Sequence, residues 1–73
     1  MLYSAEEIQS FAEKIKKELG FADIMFDKQV VDDLYFRVWD DKSIEDRIRF
    51  KPSAGTLYTY YQGQWRQVPG LKI

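Results

Sequence analysis

The sequence has 73 residues, enough for one small hydrophobic core and too few for two, so residues 1–73 are read as a single domain. With 45% hydrophobic residues, 16% aromatic residues and a formal net charge of −1, it has neither the composition of a disordered chain nor the global charge that draws a protein to polyanions or anionic membranes. Cys and His are both absent, which excludes disulfides, thiolate nucleophiles, imidazole bases and Cys/His zinc sites.

The first element is a helix at about 5–19. Ser4 followed three residues later by Glu7 is a capping box, and Ile8, Phe11, Ala12, Ile15 and Leu19 recur at three- and four-residue intervals. Gly20 supplies the left-handed residue that stops the helix.

Everything after Gly20 reads as strand and turn. A first strand at about 21–27 alternates Ala22, Ile24 and Phe26 with Phe21, Asp23, Met25 and Asp27. A second, at about 33–39, alternates Leu34, Phe36 and Val38 with Tyr35, Arg37 and Trp39. It is bracketed by the pairs Asp32-Asp33 and Asp40-Asp41, read as strand-end turns. A third, at about 44–51, sets Ile44, Ile48 and Phe50 against Glu45, Arg47, Arg49 and Lys51, and Pro52 ends it. Strands at about 56–62 and 64–68 flank Gln62-Gly63, which suits a tight hairpin turn. Pro69 and Gly70 follow, leaving a short tail.

Hairpin-length connections between successive strands imply a four- to five-stranded antiparallel β-meander with the N-terminal helix packed on one face, an α+β fold. One helix covers only one side of such a sheet. The Leu34, Phe36, Val38, Ile48 and Phe50 side is the apolar one, so the helix belongs there. The opposite side then carries Tyr35, Arg37, Trp39, Arg47 and Arg49, joined by Tyr58 and Tyr60 if the last hairpin faces that way, and by Trp65. These eight residues are the candidate binding site.

Tyr, Trp and Arg together are the composition of interaction hot spots, and an exposed patch of them on a small sheet suits a protein partner or a second copy of the chain. The same residues also suit single-stranded nucleic acid, with bases stacked on rings and phosphates met by Arg and Lys. After Asp46 the sequence holds five basic residues and no acidic one. A third reading is structural: aromatics and long cationic stems pair well across a solvated sheet. Catalysis is not expected. Adjacent carboxylates on a strand point to opposite faces, the serines have no His partner, and Lys51-Pro52-Ser53-Ala54-Gly55-Thr56 lacks the Gly-Lys-Ser/Thr of a phosphate loop. No cofactor, metal, membrane or small-molecule substrate is indicated. No apolar run approaches the about 18–20 residues of a membrane span and no secretory leader is evident, so the expected location is cytoplasmic.

Overall fold

The computed structural model describes residues 2–73, and its helix begins where Ser4 and Glu7 satisfy each other. The Glu7 amide donates to Ser4 Oγ at 3.1 Å, and the Ser4 amide donates to Glu7 Oε1 at 3.0 Å. This reciprocal cap opens α1, Ala5–Leu19, which ends at Gly20 with φ 71°. Among the described residues no helix is long and apolar enough to cross a membrane.

Five strands follow, β1 Asp23–Val30, β2 Asp33–Trp39, β3 Glu45–Lys51, β4 Thr56–Tyr61 and β5 Gln64–Gln67. They form one antiparallel sheet in the order β1-β2-β3-β4-β5, so each strand pairs with its neighbours in sequence. With α1 packed on one face, the protein is an α+β fold built on an open meander.

Two strand expectations are corrected. β1 begins two residues later than 21, and it runs on to Val30 because a bulge between Phe26 and Lys28 inserts Asp27 and resets the alternation. A two-residue period ends at that bulge, so the sequence pattern stops where the strand continues. Ile44 is not an apolar member of β3. It lies outside the strand, 61% exposed, in a loop organised by Asp40, whose Oδ1 accepts from the Lys42 and Ile44 amides at 2.8 and 2.9 Å. The turn at Gln62-Gly63 has φ of 51° and 76°, the two positive values of a tight primed hairpin turn.

The core consists of Ala12 and Ile15 from α1, Leu34, Phe36 and Val38 from β2, Ile48 and Phe50 from β3, and Leu57 from β4. Phe11 of α1 meets Phe50 with ring centroids 5.1 Å apart, and Tyr3 meets Phe11 edge-on at 5.7 Å. The segment after β5 is part of this packing. Val68, Leu71 and Ile73 lie against the core, the Val68 amide donates to the Leu57 carbonyl at 2.8 Å, and the Ile73 amide donates to the Gly55 carbonyl at 2.8 Å. Helix and tail together cover the apolar face, leaving the other face of the sheet open.

Candidate binding face

Strand register decides which side chains share the open face. Arg37 stands opposite Arg47, Tyr35 opposite Arg49, and Arg49 opposite Tyr58. Tyr60 stands opposite Trp65. Leu57 is fully buried on the other side, so the last hairpin turns Tyr58, Tyr60 and Trp65 toward the face that carries the arginines. All eight candidate residues therefore lie on one face. Tyr35, Arg37, Trp39, Arg49, Tyr58 and Trp65 are half-buried, whereas Arg47 and Tyr60 are exposed.

The rings are packed against one another rather than held free. Trp65 meets Tyr60 at 5.1 Å and Tyr35 at 5.5 Å, both edge-on. The Arg49 guanidinium sits 4.4 Å from the Tyr58 ring centre and 5.4 Å from that of Trp65. Each such contact is worth about 0.5–1 kcal/mol at a partly exposed site. On the β1 side the Lys28 ammonium lies 5.4 Å from the Tyr35 ring centre. The Arg37 guanidinium lies 5.5 Å from Trp39.

The twisted face forms a trough of about 690 Å³. Tyr35, Arg37 and Arg47 lie along it, with Tyr60 and Trp65 on the β4–β5 side and Lys28 on the β1 side. Trp39 is set apart from it, in a smaller cleft with Asp23 and Ser43. Arg49 and Tyr58 stand beside the trough and brace Trp65 through Arg49.

The face is aromatic, but its positive charge is largely answered on the spot. Glu45 accepts a hydrogen bond from Arg37 and pairs with its charge. These contacts, with a smaller contribution from the Asp27 charge, raise the Arg37 guanidinium above its ordinary pKa. Asp33 Oδ2 lies 3.9 Å from Arg49 Nε. The Arg47 guanidinium has no carboxylate partner among the described residues, although its amide donates to Asp46 Oδ1 at 2.8 Å. Counting along the register, Lys28, Arg37, Arg47, Arg49 and Lys51 share the face with Asp23, Asp27, Asp33 and Glu45, five cations against four carboxylates and a net of +1.

Six of these nine charged residues lie outside the eight candidates. Glu45 alternates in phase with Arg47 and Arg49, so its presence on the face is legible in the sequence. Asp27 is legible too, in phase with Asp23 and Met25, whereas Lys28 is not, because the bulge after Phe26 brings it beside the trough against the period-two rule.

The fold and the face together define an α+β chain with an open, concave, aromatic sheet surface. No family model matches the sequence, and no match is found among curated proteins or solved structures.

Proposed function

We propose that the chain is a non-catalytic binding module whose working surface is the concave sheet face, and that its partner is another protein. The observation that carries this reading is the braced aromatic wall of Tyr35, Tyr60 and Trp65 beside Arg47. Aromatic residues whose neighbours already fix their rotamers lose little entropy on binding, and with arginine they are the residues most often found as hot spots. The near balance of charge supports a protein partner over a polyanion, since Asp27 and Glu45 stand beside the trough where a phosphate chain would run. A cytoplasmic setting suits a chain without cysteines.

Single-stranded nucleic acid is the second reading. It is favoured by Tyr60, which is 40% exposed and lies beside Arg47, whose guanidinium has no carboxylate partner among the described residues. Salt separates the two, because a phosphate-dominated complex weakens steeply with ionic strength and an aromatic protein interface does so far less.

The test is an amide and Trp-indole NMR titration, run at low and at physiological salt, with a mixed-sequence single-stranded oligonucleotide and with the protein at increasing concentration. Concentration-dependent shifts at the Trp65 indole and Tyr60 amide that survive salt support a protein interface with a second copy. Oligonucleotide shifts at the same groups that fade with salt move the reading to nucleic acid. If neither occurs, capture of cytoplasmic partners by the wild-type chain and by a folded Tyr60→Ser variant decides the matter, and equal capture by both sinks the proposal.

A further inference from the structure

Arg37 and Arg47 are placed directly opposite each other on neighbouring strands, at the trough. Like charges in that position repel, and ordinary sheet surfaces set opposite charges or neutral residues there. Glu45, diagonal to Arg37, answers only one of the two guanidinium groups. Arg47 remains an exposed cation with no carboxylate partner among the described residues. A local arrangement that disfavours the free protein and is relieved by an added anion marks a place where one is to be received.

The surroundings limit what that anion is. Asp27 and Glu45 stand beside the same trough, so a row of negative charges entering it meets two carboxylates. One negative group set on Arg47 does not. On one side of the site is the half-buried Trp65, edge-on to the exposed Tyr60, and on the other is the partly exposed Val30. The site therefore sets the Arg47 guanidinium, without a carboxylate partner among the described residues, beside the aromatic side chains of Tyr60 and Trp65 and the apolar Val30, in a trough that also holds Lys28. Its volume of about 690 Å³ lies within the range of small-ligand pockets and leaves room for several side chains of an extended segment.

We infer that the trough receives a segment of the partner protein that presents a single carboxylate next to an apolar or aromatic side chain. The carboxylate forms a bidentate pair with Arg47, and the apolar side chain lies against Tyr60 and Trp65. This inference rests on the reading of the sheet face as a protein-binding surface and adds the chemistry of what that surface selects.

The experiment is a selection of random dodecapeptides on the intact chain at physiological salt, followed by titration of the enriched peptides against wild-type protein and against Arg47→Gln, Arg47→Lys and Tyr60→Ser. Arg47 is exposed, so its variants are expected to keep the wild-type circular dichroism spectrum. The expected result is enrichment of Asp or Glu adjacent to an apolar residue. Affinity then falls by about tenfold or more, both in Arg47→Gln and when the peptide carboxylate is replaced by its amide, with no further loss when the two changes are combined. Arg47→Lys, which keeps the charge and loses the fork, falls between. Peptides that need Tyr60 but tolerate Arg47→Gln and loss of the carboxylate overturn this inference while leaving the protein-binding face standing. Enriched peptides indifferent to Tyr60 overturn both. Oligothymidylate that binds in competition with the peptides, with a steep salt dependence and a requirement for Arg47, overturns the single-carboxylate assignment in favour of a polyanion.

Discussion

Gly55 and Ile73 are held against each other by backbone alone. The Ile73 amide donates to the Gly55 carbonyl at 2.8 Å, and a Cβ on Gly55 would stand 2.7 Å from the Ile73 carbonyl oxygen. Gly55 also has φ of 67°, which side-chain-bearing residues rarely adopt. The C-terminal segment is thus seated by a hydrogen bond that only glycine permits at this position.

Gly55→Ala is therefore expected to destabilise the chain by about 2–3 kcal/mol, the sum of a left-handed backbone penalty of about 1 kcal/mol and the displacement of Ile73 with loss of its hydrogen bond. That is a large share of the total for a chain of this size, about 4–11 kcal/mol by the usual per-residue range. Urea unfolding monitored by tryptophan fluorescence measures it. In a chain lacking Leu71–Ile73 the same substitution should cost only the backbone penalty. An equal cost in both backgrounds would show that the tail does not seat on Gly55.

The β1–β2 hairpin turns through Val31, whose φ is 56°. A β-branched side chain in that region costs about 1–2 kcal/mol, and at 82% exposure Val31 recovers almost none of this by burial. Val31→Asn, which tolerates the left-handed region, should stabilise the chain by about 0.5–1 kcal/mol and raise Tm by about 2–8 °C. A fall in Tm on thermal unfolding would mean that the valine makes contacts that outweigh its strain.

The helix cap, β2, the Gln62-Gly63 turn and the apolar side of the sheet are legible in the sequence, because each is set by a local signal or an unbroken period. The end of β1 is not, since the Asp27 bulge and the Val31 turn both break the rules by which strands and turns are read. Ile44 misleads for a related reason: its alternation with Ile48 suggests a strand, but Asp40 binds its amide and draws it into the loop. The tail carries no periodic pattern, so its packing depends on tertiary contacts with Gly55 and Leu57 that no window of sequence contains. On the candidate face, parity groups Tyr35, Arg37, Trp39, Arg47 and Arg49, but only the burial of Leu57 and the strand register bring Tyr58, Tyr60 and Trp65 to the same side. The neutralisation of Arg37 by Glu45 and the proximity of Asp33 to Arg49 depend on strand register, and register turns a basic run in the sequence into a nearly balanced surface.

Arg49 braces Tyr58 and Trp65 while its Nε, buried and without a hydrogen-bond partner, lies 3.9 Å from Asp33. Arg49→Met should cost about 1–3 kcal/mol, through lost ring contacts and a partly buried carboxylate left without its cation. Arg49→Met combined with Asp33→Asn should recover part of that loss, and a double-mutant cycle in urea isolates the coupling. Strict additivity of the two changes would show that Arg49 acts only through the rings.

Glu45→Gln tests the charge arrangement of the face directly. The Arg37–Glu45 pair is exposed, so its direct contribution to stability is small. Its removal also leaves the Arg37 guanidinium facing that of Arg47 with no carboxylate paired to either among the described residues, and raises the net charge of the face from +1 to +2, a cross-strand repulsion. The two effects have the same sign at low salt. Both are screened as ionic strength rises, because the Debye length falls from about 30 Å at 0.01 M to about 3 Å at 1 M. Glu45→Gln should therefore be less stable than wild type in dilute buffer and close to it in molar sodium chloride. The same substitution should raise oligonucleotide affinity at low salt by removing a carboxylate from beside the trough. Paired urea titrations at the two salt concentrations read the first effect. If the deficit persists unchanged at high salt, Glu45 holds the face by hydrogen-bond geometry rather than by charge, and Arg37 and Arg47 tolerate each other without it.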